Sequence, residues 1–414
     1  MNKSITKSTF FSLPFTIMSP KLSGTVLIHG DEAVHTTGGT EVAPSISVSS
    51  TFKTGLPGEG PDEDDVDFKN PERHVYSRYT QDVSTRAEHI LSKINDGHAL
   101  TYASGLSAAY AVRRSFFSMP KRIAINGGYF GCHSTIEVYN KSRDTPLELI
   151  DLDDEFQPGD LCWLETPLNP SGESRDIKYY ADKVHKAGGK ILVDSTFAPP
   201  PLQYPFKWGA DWYLTATKYF GGHSDLLGGV LVVKTLDDWT ALHHNRTYMG
   251  NVIGSLDAWL LLRSLRTLHL RVPRQSETAT VLAKWLQSAE RTPAGQTFDG
   301  VPGGLVTKVW HSSLQTKDER GFNPKYQLEG GWNGTFAIQL ATPEQAIQLP
   351  HNVENFVAAT SLGGVESLIE YRARADIRED PRLIRISVGV EEIEDLKDGL
   401  RIGLQKVASI KSKV

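Results

Sequence analysis

The 414-residue chain is predicted to be an α/β protein, a large domain on a mainly parallel sheet followed by a smaller α+β domain. Three observations predict this. Short apolar runs alternate with helical patterns through the first two thirds of the chain. The length, with 39% hydrophobic residues, allows a large core and two domains. A long apolar-periodic segment ends against a proline, Pro273.

The alternation begins with the helical AEHILSKI, the strand-like HALTYAS and the helical SAAYAVRRSFF. KRIAIN and DLCWLET read as strands, IKYYADKVHKAG as a helix and KILVDS as a buried strand. SLDAWLLLRSLRTLHLRV, Ser255 to Val272, reads as one long helix. Proline lacks an amide hydrogen and crowds the preceding turn, so Pro273 is expected to break or kink that helix and mark the domain boundary. Three segments follow: an N-terminal extension and arm over 1–75, an α/β domain over 76–272 and an α+β domain over 273–414. GLPGEGPDEDDVDFKNPER, Gly55 to Arg73, is expected to be a mobile acidic loop near the active-site entrance.

Composition narrows the function. A net charge of −5 without a basic block argues against nucleic acid or an anionic membrane as partner, and no apolar run is long enough to span a bilayer. The two cysteines, Cys132 and Cys162, exclude a disulfide framework and fit a reducing, cytoplasmic setting. No metal site is expected, because neither the cysteines nor the 13 histidines form a ligand-spaced cluster. No G-x-G-x-x-G follows a predicted strand, which argues against a nicotinamide cofactor. Residues 1–20 carry lysines and hydroxyls but no acid, and read either as a weak organelle-targeting peptide or as a loose extension.

The chemistry centres on Lys218. In TATKYFGGHSD it follows the apolar ADWYL and stands among small, hydroxyl and glycine residues. A lysine at a buried strand end must pair its charge or lose its proton, and the neutral amine can form a Schiff base with an aldehyde, of which pyridoxal phosphate is the usual one. Asp194 ends the apolar KILVD; alone it also suits a turn or helix cap, but beside such a lysine it suits a pyridinium nitrogen, a partner that offsets its desolvation.

With these two residues in place, the chain resembles the Cys/Met metabolism family of pyridoxal-phosphate enzymes, the cystathionine γ-synthase, cystathionine lyase and O-acylhomoserine sulfhydrylase group. Family-like segments recur in family order from HGDEAVHTTGGTEVAPSISVSSTF (His29 to Phe52) to LIRISVGVEEIEDL (Leu383 to Leu396). The resemblance implies an aspartate aminotransferase-like (fold type I) architecture, with 76–272 as the pyridoxal-phosphate-binding domain. It implies that the turn Ser104, Gly105 and Leu106 holds the phosphate with backbone amides, a turn that by itself is equally a helix start. Thr215 and Thr217, taken as i and i+2 on one strand face, would add hydroxyl donors. HVYSRYTQD places Tyr76 and Arg78 as residues reaching the phosphate of a neighbouring subunit, hence a homodimer or homotetramer with shared sites.

The same resemblance has Tyr129 of NGGYFGCHS stack on the cofactor ring and assist proton transfer. WLETPLNPSG supplies Glu165 and Asn169; the asparagine is expected on the cofactor's phenolic oxygen and the substrate carboxylate. Ser361 and Arg385 are expected at the substrate, with Arg385 the clamp for its α-carboxylate. Two departures stand out. No arginine follows Tyr129 through Ser134, which weakens recognition of a distal carboxylate and leaves His133 either as its substitute or equally as a structural histidine, and EYRARADIRED stands where a histidine-proline turn is usual.

The function implied is γ-replacement on an O-acylhomoserine, forming cystathionine from cysteine. Alternatives are a cystathionine β- or γ-lyase, or γ-substitution with a non-sulfur nucleophile. A non-catalytic regulatory relative would be marked by loss of Lys218 or Asp194, and both are present.

Overall fold

The structure is a computed structural model that describes residues 22–34, 41–53, 67–114 and 120–410. The segment 1–20 and most of the acidic loop lie outside the described residues. In chain order come α1 (Gly24–His29), α2 (Asp82–Asn95), β1 (His98–Tyr102), α3 (Gly105–Arg114), β2 (Arg122–Ala124) and α4 (Phe130–Asn140). Then follow β3 (Glu148–Ile150), β4 (Leu161–Glu165), α5 (Ile177–Lys186), β5 (Lys190–Asp194), β6 (Trp212–Ala216), α6 (Lys218–Gly221), β7 (Gly229–Val233) and α7 (Leu236–Met249).

These strands form one seven-stranded sheet in the order β1-β7-β6-β5-β4-β2-β3. β3, β2, β4, β5 and β6 are parallel, while β7 runs antiparallel to both of its neighbours. Every residue of β4 and β7 is buried, as a sheet covered on both faces requires. Alternate residues feed different cores: Val230 and Val232 join one apolar cluster, Leu231 and Val233 another.

α8 (Ser255–Leu265) and α9 (Leu268–Glu290) lead into the rest of the chain. A ribbon of β8 (Thr297–Phe298) and β9 (Val301–Pro302) precedes β10 (Val306–Trp310), α10 (Pro324–Gln327), β11 (Thr335–Leu340) and α11 (Pro343–Gln348). The chain closes with β12 (Val357–Ala358), β13 (Leu368–Tyr371), β14 (Leu383–Ser387) and α12 (Ile393–Ala408). The second sheet has the order β10-β11-β14-β13-β12, so the architecture is the expected large parallel-sheet unit with a smaller α+β part.

The single helix expected over Ser255–Val272 is instead two. It breaks at Arg266 and Thr267, where Thr267 has φ −113° and ψ 10°, and Arg271 Nη2 donates to Ser264 O at the end of α8 at 2.8 Å. Pro273 lies inside α9 and does not end it. A proline within a helix costs about 3 kcal/mol. That cost is outweighed here because α9 buries Leu268 and Val272 in one core and Ala279, Leu282, Ala283 and Leu286 in another, at roughly 1.5–3 kcal/mol for each large aliphatic side chain. No helix among the described residues is long and apolar enough to cross a membrane.

Candidate active site

The chemistry-bearing residues gather where the parallel strands end. Glu165 ends β4, Asp194 ends β5, and Lys218 follows β6 by two residues. The carboxyl ends of parallel strands open a crevice at which ligands bind.

Asp194 is 6% exposed. Thr196 donates to its Oδ1 twice, from its hydroxyl at 2.6 Å and its amide at 3.0 Å, which leaves Oδ2 to meet a ring N–H. Asp194 pairs in register with Glu165 on the adjacent strand. Burial holds both carboxyls above the usual range, and the Asp194 charge raises Glu165 further. Two buried carboxylates so placed share a proton more readily than both ionise.

Glu165 fixes the loops on either side. Its Oε1 accepts from the Asn169 amide and its Oε2 from the Tyr129 amide, each at 2.8 Å. Gly128, with φ +80°, makes the second contact possible, since a Cβ there would run into Glu165. Tyr129 caps α4 with its ring 38% exposed. Burial raises its phenol, and the Arg385 and Arg372 charges partly reverse that.

Lys218 opens α6 and its Nζ donates to Ser361 Oγ at 2.9 Å. Burial and the nearby Arg385 hold its amine below the ordinary lysine range, against the opposing pull of Glu370. Ser361 has φ +86°, unusual for a residue with a side chain. In that conformation its hydroxyl meets Lys218 and its carbonyl accepts from Arg385 Nη2 at 3.0 Å. Arg385, 5% exposed in the middle of the second sheet, also donates to Asn169 Oδ1 at 2.9 Å and pairs with Glu370 at 2.7 Å. Burial lowers its pKa to about 10.

The turn after β1 offers an anion site. Ser104 Oγ accepts from the Ser107 amide at 3.0 Å, leaving the amides of Gly105 and Leu106 at the start of α3 without helix partners. Gly105 permits close approach, since a Cβ there would lie 2.8 Å from Ala216 Cβ beside the Lys218 strand. Amides without helix partners, a carboxylate oxygen that Thr196 leaves free and a buried lysine of lowered pKa together fit a phosphorylated pyridine aldehyde.

Other expectations are revised. Thr215 and Thr217 do not share a strand face, because β6 ends at Ala216 and Thr217 caps α6. Their hydroxyls donate to Ala216 O at 2.9 Å and Gly228 O at 3.0 Å, so a bound phosphate would have to redirect them. His133 Nε2 lies 2.8 Å from Gly127 O and holds its own loop. Tyr76 and Arg78 are outside this hydrogen-bonded group: Arg78 donates to Thr247 O at 3.1 Å and stacks on Tyr76 and Tyr79. Sequence reading missed Thr196, whose position two after an aspartate is an Asx-turn signal. It also missed Glu370 and Arg372, which only the packing of β13 on β14 brings to Arg385.

The profile of the family described as Cys/Met metabolism PLP-dependent enzyme matches residues 24–405. The chain belongs to that family. Its dependence on pyridoxal phosphate, its place among trans-sulfuration enzymes and its lyase or transferase class follow. Among its relatives, a cystathionine gamma-synthase of Mycobacterium tuberculosis is 33% identical over 80% of this chain and 86% of its own. A cystathionine gamma-lyase of Bacillus subtilis is 30% identical over 81% and 89%. A solved methionine gamma lyase from Micromonospora echinospora superposes with a TM-score of 0.77 at 29% identity, covering 94% of this chain and all of its own.

Proposed function

We propose that this trans-sulfuration enzyme catalyses γ-replacement on an O-acylhomoserine, joining it to cysteine to form cystathionine. The observation that carries the reading is the Lys218–Ser361–Arg385 relay, which sets a buried amine, its pKa lowered by that burial, beside a guanidinium suited to an amino acid's carboxylate. The 33% identity to the mycobacterial γ-synthase supports the choice of reaction. Cystathionine lysis is the second reading, favoured by the likeness to the bacillus enzyme.

In this reading the Gly105 and Leu106 amides, with Ser104, hold the cofactor phosphate, joined by Thr215 and Thr217 once their hydroxyls turn. Asp194, through the oxygen that Thr196 leaves free, would keep the cofactor's ring nitrogen protonated, and Tyr129 would stack on its ring. Pyridoxal phosphate supplies an electron sink at the substrate α-carbon. Lys218 would be its attachment point, and the free Lys218 amine would take the substrate α-proton and return it. Arg385 would take the α-carboxylate with the N–H bonds left over from Asn169, Ser361 and Glu370; Asn169, held on Arg385, would orient the same group and the cofactor's phenolic oxygen. Tyr129 delivers or accepts the proton needed when the γ-substituent leaves. Tyr76 and Arg78 complete the phosphate clamp of a neighbouring subunit, so the working unit is a homodimer or homotetramer.

The test is incubation with O-acetylhomoserine, with and without cysteine, and with cystathionine, products being read by mass spectrometry. Cystathionine from the ester and cysteine is the expected result. Cleavage of cystathionine without synthesis establishes the lyase instead, and inertness toward all three overturns both readings.

A further inference from the structure

Beside the carboxylate clamp lies a second buried guanidinium. Arg372 follows β13 directly and is 3% exposed. Its Nη1 donates to Glu370 Oε2 at 2.9 Å, and the same oxygen pairs with Arg385 Nη2 at 2.7 Å. Glu370 and Arg385 face one another in the β13–β14 register, so this three-membered contact is built into the sheet. The remaining hold on Arg372 is weaker, Nη2 standing 3.7 Å from Glu379, and its buried Nε has no hydrogen-bond partner among the described residues.

Charge balance gives the arrangement a purpose. Arg385 with Glu370 alone is neutral, and a substrate carboxylate arriving there would leave a buried site with a net negative charge. Glu370 would compete with that carboxylate for the same guanidinium. Arg372, countered by Glu379 only at 3.7 Å, adds positive charge close to the clamp and draws on the oxygen that Glu370 gives to Arg385. Its field also reaches Tyr129. Arg372 lies in EYRARADIRED, the segment that departs from the histidine-proline turn of the resembled family.

We propose that Arg372 is a positioning residue for substrate: through the shared Glu370 oxygen it keeps Arg385 available to an amino acid's α-carboxylate. The inference rests on the reading of Arg385 as the carboxylate clamp. Its test is equilibrium titration of the cofactor-loaded protein, followed by cofactor absorbance, with L-alanine and with ethylamine, which is alanine without its carboxylate. Arg372→Met should weaken L-alanine about tenfold or more, leave ethylamine and cofactor content unchanged, and recover to within about threefold of wild type when Glu370→Gln is added, since both charges are then gone. A purely structural Arg372 would not be rescued by that second change.

Wild-type L-alanine affinity in Arg372→Met, or a double variant as weak as the single one, overturns the proposal. Should Arg372→Met prove insoluble, Glu370→Gln alone decides: freed of its competitor, Arg385 should bind L-alanine at least as tightly as in wild type, and weaker binding overturns the proposal. Arg385→Met separates the two ideas. If it leaves L-alanine affinity intact the clamp reading itself fails, whereas its loss beside an unaffected Arg372→Met rejects only the role given to Arg372.

Discussion

Replacing Glu165 should loosen the loops that carry Tyr129 and Asn169. Its two oxygens accept the Tyr129 and Asn169 amides at 2.8 Å each, and the side chain is buried. Glu165→Ala leaves both amides without an acceptor. An orphaned buried donor costs about 1–3 kcal/mol, so the pair costs about 2–6 kcal/mol. Removing a carboxyl that burial and Asp194 hold at high pKa offsets part of this, giving an expected net loss of roughly 3 kcal/mol. Glu165→Gln keeps one acceptor oxygen but turns an amide N–H toward the other donor, for a loss of about 1 kcal/mol. Urea unfolding gives the global term, and amide exchange in the peptides carrying Tyr129 and Asn169 gives the local one. The reasoning fails if Glu165→Ala unfolds at the wild-type midpoint with unchanged exchange at both amides.

Further outcomes follow from other contacts. Lys218→Ala should abolish turnover and the absorbance of lysine-attached cofactor while the protein stays folded, as circular dichroism would check. Gly105→Ala, normally favourable in a helix, should here destabilise by about 1–3 kcal/mol and weaken cofactor binding, because the new Cβ meets Ala216; fluorescence titration of cofactor-free protein measures the latter. The Glu165–Asp194 pair gives the cofactor-free protein a pH dependence. Burial holds both groups above the ordinary carboxylate range in the folded state, so their contribution is fully present below that range and is lost as pH rises through the raised values. Stability by urea unfolding should therefore fall on going from acid toward mildly alkaline pH, and Glu165→Gln should flatten that fall.

Much of the site was legible because its residues sit at strand ends in an alternating pattern. Apolar runs closing on Asp194 and preceding Lys218 mark buried strand termini whatever the rest of the chain does. The position of Pro273 was legible but its effect was not. A local rule predicts a break, and the burial of both halves of α9 in separate cores overrides it. Thr217 misled for the opposite reason, since threonine's strand preference says nothing of where a strand stops.

By itself the sequence determined the residue chemistry: an amine, a carboxylate and an anion-binding turn at the ends of predicted strands, within an α/β chain of a recognisable family. Tertiary structure alone decided what those groups touch. Lys218 meets Ser361 across 143 residues of chain, Asn169 meets Arg385 across 216, and Glu370 becomes common to two arginines. Periodicity reports which face of an element is buried. It carries no information on which distant element will bury it, and the pairing of charges in a low-dielectric interior depends on that neighbour alone.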